Sequence, residues 1–248
     1  MKTGIVIPSF NEAACLPELI RGIEARLPGA EICVVDDTPG GGPAGLEALA
    51  PGRLSVIRRG RKGGRGSAVL EGMCLLLEKD CGLIVEMDAD LSHPPARLPG
   101  LVAEATARRT DLLIASRYMA GGSVGNWPLG RHILSLTANL LARRLLGLPV
   151  RDCTGGFRVY SRRAAREAAA TCGGSGKGFI VLSEILVNLY YRGYALAETP
   201  LAFTDRVKGK SSFGFGEVLG ALAGLFKVWR LKRGLLRGSV ALRSPLEA

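Results

Sequence analysis

Short apolar runs alternate with longer helical patterns through the first half of the chain. The runs are rich in aliphatic and β-branched residues, and they cover positions 4–7, 32–35, 54–57, 83–86 and 112–115. Because each run is almost continuously apolar, both faces of each predicted strand should be covered, as in a parallel sheet between helices. Helical spacing follows at 13–26, 65–79 and 95–108. The pattern predicts an α/β fold.

Polar residues follow four of these predicted strands. The clusters are residues 8–12 after the first strand, Asp36 and Asp37 after the second, Asp88 and Asp90 after the fourth, and residues 116–118 after the fifth. In open parallel sheets, ligands bind beyond the carboxyl ends of the strands. We therefore expect the four clusters to meet at one edge and to form a ligand site.

The second half of the chain has fewer clear strands. Residues 127–148 and 213–236 mix apolar and basic side chains and predict amphipathic helices. Such helices either lie in the headgroup region of a membrane or pack on a core with a solvated outer face. The glycine clusters at 39–43 and 172–176 predict loops.

Composition indicates a folded globular chain with a strong positive charge. The chain has 248 residues, is 47% hydrophobic and carries a formal net charge of +11. We expect one main α/β domain over residues 1–212 and a basic amphipathic extension over 213–248, which could lie at a membrane interface. The charge favours binding of polyanions, nucleotides, phosphates or anionic lipids, but an ordinary solvated basic surface is an equal alternative. Nucleic acid is not an expected partner, because no nucleic-acid-binding module is recognisable.

Cysteine and histidine usage indicates the compartment. The chain has six cysteines without a CxxC pair and only two histidines, which argues against a zinc site. Several cysteines lie in apolar runs, where a reduced buried thiol is the usual state, so we expect a cytoplasmic protein. No stretch reaches the roughly 18 apolar residues of a membrane span. Any contact with a membrane should be peripheral.

Asp88 and Asp90 are the leading candidates for chemistry. They directly follow a buried strand, so their carboxylates should emerge close together at the sheet edge. A divalent cation such as Mg²⁺ or Mn²⁺ would offset their repulsion and bridge to phosphate oxygens. An isolated pair of this kind is more often two exposed turn residues, but the strand before it favours a metal site.

Two further features have competing interpretations. Asp36 and Asp37 could hold the base or the ribose of a nucleotide, or they could cap a helix. The basic glycine-rich stretch at 60–66 precedes a helix and could bind phosphate through backbone N–H groups. It matches no established phosphate-binding motif, so a flexible basic loop is an equal alternative.

The motifs in their order resemble family 2 glycosyltransferases. The first half contains IPSFNE at 7–12, VVDD at 34–37, MDADLSHP at 87–94 and SRY at 116–118. In the second half, DCTGGFR at 152–158, Glu184 and FTDRVKGKS at 203–211 are similar to dolichyl-phosphate (polyprenyl-phosphate) mannosyltransferases. The resemblance covers about residues 1–230, and several motifs in register are more specific than any one alone.

The resemblance implies a fold, a reaction and its partners. The fold would be that of glycosyltransferase A, a Rossmann-like, mostly parallel sheet flanked by helices, with amphipathic C-terminal helices. The reaction would transfer mannose from the nucleotide-sugar GDP-mannose to a dolichyl or other polyprenyl phosphate, using Mg²⁺ or Mn²⁺. Alternatives are transfer of another sugar, such as glucose from a UDP-sugar, or a sugar-phosphate nucleotidyltransferase. The latter would need a glycine-rich signature after the first strand, where Pro8–Glu12 stands instead.

The resemblance also assigns roles to individual residues. Those implied to bind the donor are Pro8, Phe10, Glu12, Val35, Asp37, Asp88, Ala89, Asp90, Arg117, Arg206 and Lys210. Asp90, Arg117 and Arg131 would be catalytic, and the metal ligands would be Asp88, Asp90 and Ser92.

Two positions depart from the family pattern. Some members have Gln where this chain has Ser92, so a hydroxyl or a water would have to replace that metal ligand. Others have Lys where this chain has Ser212, which leaves Lys208 or Lys210 to supply the charge.

The implied mechanism is a single displacement with inversion at the anomeric carbon. A phosphate monoester is largely dianionic at neutral pH, since its second pKa is about 6, so the acceptor needs no general base. Catalysis would then rest on the cation and on arginines that hold phosphates. The protein would work at the cytoplasmic face of a membrane, where a separate membrane-anchoring subunit could assist it.

Overall fold

A computed structural model of the chain describes residues 1–203, except 126, 128 and 177, and residues 215–242. The side chains of residues 131, 215–222 and 238–242 lie outside that description. The elements, in chain order, are β1 (Thr3–Ser9), α1 (Leu16–Arg26), β2 (Glu31–Asp36), β3 (Leu54–Arg58), α2 (Arg65–Glu78), β4 (Leu83–Glu86), α3 (Leu98–Ala107), β5 (Leu112–Ser116), α4 (Leu129–Leu146), β6 (Arg158–Ser161), α5 (Arg162–Thr171), α6 (Ile180–Tyr191), β7 (Leu196–Pro200) and α7 (Phe215–Leu242).

The strands form one sheet of seven in the order β3-β2-β1-β4-β6-β5-β7. All neighbouring pairs are parallel except those of β6, which runs antiparallel between β4 and β5. The mostly parallel sheet confirms the prediction from the apolar runs. Strands β1, β2, β4 and β5 run in one direction, so the residues that follow them meet at one edge of the sheet.

Helices cover both faces of the sheet, and each face has its own hydrophobic core. Helix α1 buries Leu16, Leu19, Ile20 and Ile23, a spacing that places them on one side of the helix. This helix and α3 pack on one face, while α2, α5 and α6 pack on the other. At Gly72 in α2, an added Cβ would overlap the side chain of Val6, so glycine allows the helix to sit directly on β1.

Helix α7 packs into the core that α2 and α6 share. Its side chains Leu225 and Val228 are buried in that core, and an added Cβ at Gly224 would lie 2.7 Å from Ile180 of α6. The predicted boundary at residue 212 falls outside the described residues, so the division into two parts stays a prediction. None of the described helices is long and apolar enough to cross a membrane.

Candidate active site

Asp88 lies at the carboxyl edge of the sheet in a network with a buried arginine. Arg65, the first residue of α2, donates to Asp88 Oδ1 from Nε at 3.0 Å and from Nη2 at 2.7 Å. Its Nη1 donates to Oε1 of Glu86, whose other oxygen accepts a 2.7 Å hydrogen bond from the Tyr160 hydroxyl. We call Arg65, Glu86, Asp88 and Tyr160 the Arg65 network.

Close packing holds the Arg65 network in place. Glu86 is completely buried, and an added Cβ at Gly156 would overlap Arg65 Nη2. Burial and the neighbouring Glu86 raise the pKa of Tyr160 well above its usual value, so this phenol donates in its neutral form. Although burial lowers the pKa of Arg65, the two carboxylates raise it further, and Arg65 stays charged.

His93 fixes the backbone at Asp88. Its Nδ1 accepts the backbone N–H of Asp88 at 2.9 Å, so that nitrogen carries no proton. The ring stacks on Phe157 with centroids 4.8 Å apart, and burial lowers the pKa of His93 despite the nearby Asp88. His93 is therefore a neutral, structural histidine.

Asp90 and Ser92 contact each other directly. The Ser92 hydroxyl donates to Asp90 Oδ1 at 2.6 Å, and the Ser92 backbone N–H donates to the same oxygen at 3.1 Å. Leu91 between them has φ of 64°, a left-handed conformation that is uncommon for a residue with a side chain. The tight turn brings the hydroxyl to the carboxylate, so Ser92 orients Asp90 in this structure.

Asp36 ends β2 beneath the glycine loop at 39–43. Its Oδ1 accepts hydrogen bonds from the hydroxyls of Ser9 at 2.9 Å and Thr38 at 2.8 Å. Its Oδ2 is buried and has no hydrogen-bond partner among the described residues. An added Cβ at Gly42 would lie 2.5 Å from that oxygen, so the loop passes directly over it. A buried carboxylate oxygen of this kind suits a donor from a ligand or a water.

Asp37 anchors the basic glycine-rich loop at 60–66. Its Oδ2 accepts the backbone N–H groups of Gly63 and Gly64, both at 2.8 Å, and its Oδ1 accepts from Arg59. These two N–H groups are therefore bound to Asp37 and not turned toward a phosphate. The structure favours a structural role for this part of the loop.

Arg117 forms a buried fork with Asp152. Its Nε and Nη2 donate to the two carboxylate oxygens, each at 2.8 Å, and Nη2 also donates to Thr154 at 2.9 Å. Burial would raise the pKa of Asp152, but the charge and hydrogen bonds of Arg117 hold that pKa below its usual value. Among the described residues, three of the five Arg117 N–H groups are occupied by these acceptors, and a bound phosphate would have to approach the two on Nη1.

Further hydrogen bonds hold the Asp152 turn. Glu198 of β7 accepts the backbone N–H groups of Arg151 at 2.8 Å and Asp152 at 2.9 Å. Asn139 of α4 accepts the N–H of Cys153 at 2.9 Å and donates to Thr154 at 3.0 Å. Helix α4 is in this way connected directly to the Arg117 fork.

The Asp88 and Asp90 segment fits a hard divalent cation. It presents carboxylate and hydroxyl oxygens, the donors that Mg²⁺ and Mn²⁺ prefer, and the Asp88 side chain is 25% exposed. Among the described residues, no three His, Cys, Asp or Glu side chains form a group that could hold a metal. A cation at this segment would be held by one or two carboxylates and completed by substrate phosphate and water.

The remaining residues that the sequence predicts to bind the donor differ in their exposure to solvent. Phe10 is exposed at the edge, with Lys62 Nζ 4.8 Å from the centroid of its ring, and Glu12, two positions further along the chain, is partly exposed. Pro8, Val35 and Ala89 are buried. They can shape a donor pocket from below but expose little surface to it.

The side chains of three predicted phosphate-binding residues lie outside the described part of the structure. Arg131 lies in the first turn of α4, but its side chain is outside the described part of the chain. Arg206 and Lys210 lie in 204–214, also outside it. Their assigned roles stay predictions.

The sequence patterns did not single out Arg65, Glu86 or Tyr160. One signal was available: Glu86 is a charged residue in a run that is otherwise apolar and buried. Such a residue needs a cation partner inside the protein. Which cation it contacts depends on the tertiary fold, since Arg65 is 21 positions away.

The sequence matches a known family model and curated proteins. The model of glycosyl transferase family 2 matches residues 4–168. The chain is 36% identical to the polyprenol monophosphomannose synthase of Mycolicibacterium smegmatis, over 98% of this chain and 92% of that protein. It is 33% identical to the undecaprenyl-phosphate mannosyltransferase of Micrococcus luteus, over 88% of this chain and 90% of that protein.

Solved structures share the fold. Glucosyl-3-phosphoglycerate synthase from Mycobacterium tuberculosis, in complex with Mn²⁺, UDP and glucosyl-3-phosphoglycerate, superposes with a TM-score of 0.64 at 21% identity. The match covers 94% of this chain and 80% of that one. A complex of the same synthase with Mg²⁺ and UDP gives a TM-score of 0.63 at 21% identity, over 94% and 79% of the two chains.

Proposed function

The chain belongs to glycosyl transferase family 2, and on that basis we propose that it transfers mannose from GDP-mannose to a polyprenyl phosphate. The observation that carries the proposal is the pair of relatives at 36% and 33% identity, whose names specify mannosyl transfer to polyprenol or undecaprenyl phosphate. Both matches span most of each chain, so the likeness includes the second half, where acceptor contacts are expected. The product would be polyprenyl-phosphate mannose.

The donor would lie across the carboxyl edge of the sheet. Phe10 is exposed there, and the buried Asp36 oxygen suits a polar group of the nucleoside. Asp88 and Asp90 would hold a divalent cation, which when bound offsets the negative charge on the leaving diphosphate. Oxygen ligands suit both Mg²⁺ and Mn²⁺, so they support either cation.

The acceptor phosphate would attack the anomeric carbon directly. An oxygen of the lipid phosphate forms the new bond to that carbon as the bond to the diphosphate breaks, which inverts the configuration. The dianionic phosphate carries no proton that must be removed. His93 fits this scheme, since its Nδ1 is occupied by the Asp88 N–H and it lies in the core.

Arginines would position the attacking phosphate. Arg117 is held rigidly by Asp152, which leaves its Nη1 side to contact a phosphate oxygen. Arg131 on α4, with Arg206 and Lys210 beyond β7, would supply further positive charge. A rigid fork loses little conformational entropy when it binds, which favours a precise phosphate position.

The outer face of α4 supports peripheral contact with a membrane. We define the α4 apolar face as Leu129, Ile133, Leu136 and Leu140, which follow helical spacing and are 42–75% exposed. Beside it, an apolar groove of about 330 Å³ separates α4 from α7 and is lined by Leu141, Leu145, Leu225, Phe226 and Trp229. Exposed apolar patches of this kind are typical of lipid or protein contacts.

Basic residues around these helices favour anionic lipid. Arg143 and Arg144 on α4, and Lys227, Arg230 and Arg233 on α7, are at the protein surface. The same α4 helix carries Asn139, which hydrogen-bonds to the Arg117 partner Thr154. Docking of α4 on the bilayer would therefore bring a membrane-embedded acceptor near the phosphate-binding arginines. A membrane-anchoring subunit on the same face would be a further partner.

Sugar transfer to lipid from a panel of radiolabelled donors tests the reaction. We expect label from GDP-mannose to enter an organic-extractable polyprenyl phosphate product in the presence of Mn²⁺, and little label from UDP-glucose. Label from UDP-glucose alone would overturn the donor assignment but keep the reaction class. Label found only in protein or polysaccharide would contradict the acceptor assignment.

Paired charge substitutions test membrane docking. Replacing Ile133 and Leu140 by Glu should weaken binding to vesicles that contain anionic lipid by about 10-fold or more, because apolar burial is lost and like charges approach the surface. The matched control replaces Ala103 and Ala107 by Glu, two exposed positions on α3 at the other face of the sheet. Equal vesicle binding by both variants would count against the α4 apolar face.

A further inference from the structure

Arg65, Glu86 and Tyr160 have no part in the proposed reaction, yet Arg65 directly contacts Asp88 of the candidate cation site. Glu86 is completely buried at the last position of β4. A carboxylate in that position is costly unless a cation neutralises it. Arg65, whose side chain is 12% exposed, provides that cation and at the same time contacts Asp88.

One guanidinium serves two carboxylates. The charges of Arg65, Glu86 and Asp88 sum to −1, so the neutralisation of Glu86 leaves a net negative charge for a bound cation. Arg65 Nε and Nη2 converge on a single oxygen of Asp88, Oδ1. This two-donor contact fixes the rotation of the carboxylate and hence the direction of Oδ2.

Asp88 is held on its other side as well. Its backbone N–H donates to the buried His93, which stacks on Phe157. With the backbone fixed by His93 and the side chain fixed by Arg65, the Asp88 carboxylate has little freedom of orientation. Gly156 leaves the space that the guanidinium needs, since a Cβ there would overlap Nη2.

We infer that Arg65 and Glu86 are positioning residues that set the orientation of Asp88 for a divalent cation bound with a nucleoside diphosphate. Arg65 makes this contact with its planar fork, which reaches both carboxylates at once, and Lys has no such geometry. Glu86 holds the far side of the fork through Nη1 and is itself held by Tyr160. The inference rests on the proposed function, because it assumes that Asp88 binds the cation.

Two variants separate orientation from charge. The double variant Arg65→Met/Glu86→Gln keeps the net charge at −1, since only Asp88 remains charged, and the introduced amide can still accept the Tyr160 hydrogen bond. The single variant Glu86→Gln brings the net charge to zero but keeps the Arg65–Asp88 contact, because an amide oxygen can still accept from Arg65 Nη1. Arg65→Lys is a second test of the guanidinium geometry, because it keeps both the positive charge at position 65 and the negative charge of Glu86.

Electron paramagnetic resonance measures the Mn²⁺ affinity of the full chain at saturating GDP. A thermal unfolding curve for each variant shows whether that variant is folded. Residues that orient a metal ligand typically change affinity by about 10- to 100-fold when removed. We expect the double variant and Arg65→Lys to bind Mn²⁺ at least about 10-fold more weakly, and Glu86→Gln to stay within about 3-fold of the wild type. Wild-type affinity in the double variant, or an equal loss in Glu86→Gln, would overturn the positioning role.

Asp88→Asn distinguishes failure of this inference from failure of the proposed metal site. If Asp88→Asn loses Mn²⁺ binding while the double variant keeps it, the metal assignment holds and the role of Arg65 is refuted. If Asp88→Asn itself binds Mn²⁺ with wild-type affinity, the metal assignment and the inference both fail.

Discussion

Replacing Asp90 by Asn is expected to lower turnover at limiting Mn²⁺ about 1,000-fold and to leave the fold intact. Asn can still accept both Ser92 hydrogen bonds through its side-chain oxygen, so the turn at residues 90–92 keeps these two hydrogen bonds. What the variant loses is the negative charge that would hold a cation against the leaving diphosphate. Loss of one preorganised electrostatic contact to a transition state typically costs about 100- to 1,000-fold in kcat, and a metal ligand belongs at the upper end.

Turnover at limiting Mn²⁺ with GDP-mannose and polyprenyl phosphate measures this effect. Asp80→Asn is the matched control, because Asp80 is 89% exposed and pairs only at the surface with Arg162. Both variants should unfold at nearly the wild-type temperature. An Asp90→Asn enzyme within about 3-fold of wild-type turnover at limiting metal would refute the role of Asp90 as a metal ligand.

Replacing Asp152 by Ala should lower the free energy of unfolding by about 3–5 kcal/mol. Asp152 is completely buried, and its loss leaves the Arg117 guanidinium, 10% exposed, without its carboxylate. It also removes the acceptor for the backbone N–H groups of Thr154 and Gly155. Stranding a buried charge costs far more than breaking a surface pair, which typically contributes about 0–1 kcal/mol.

Urea unfolding at neutral pH gives this difference, with Glu47→Ala as the control, because Glu47 forms an exposed carboxylate–arginine pair with Arg58. The Asp152 variant should also lose transfer activity, since Arg117 would no longer be held in one orientation. If Asp152→Ala lowers the free energy of unfolding by less than about 1 kcal/mol, as expected for the control, the Arg117–Asp152 fork contributes little to stability.

The Arg117–Asp152 pair also predicts that the free energy of unfolding depends on pH. The pKa of Asp152 is lowered in the folded protein, despite burial, by the charge and hydrogen bonds of Arg117. Its contribution to stability is therefore complete above the unfolded pKa of about 3.9 and is lost as pH falls through the lower folded value. The stability difference between wild type and Asp152→Ala should shrink in strong acid, and a constant difference down to that range would contradict this explanation.

Local patterns were sufficient to predict most of the sheet and the edge at which Asp88 and Asp90 lie. The five apolar runs predicted β1 to β5, and their shared direction predicted which edge carries Asp88 and Asp90. They did not predict β6, which has four residues, begins with Arg158 and runs antiparallel between β4 and β5. A short strand with a charged first residue has no periodic signal of its own, and its pairing depends on the strands on either side.

Only the tertiary structure decided which groups each buried charged side chain contacts. The sequence by itself determined the fold class and the places of Asp88, Asp90 and Arg117 after β4 and β5, because these follow from local hydrophobic period and motif order. It could not show that Arg65 contacts Asp88 and Glu86, that Asp37 binds the glycine loop, or that Asp152 holds Arg117. Those contacts join residues 21 to 35 positions apart. They exist because the fold buries the groups together, where each unpaired charge would be costly.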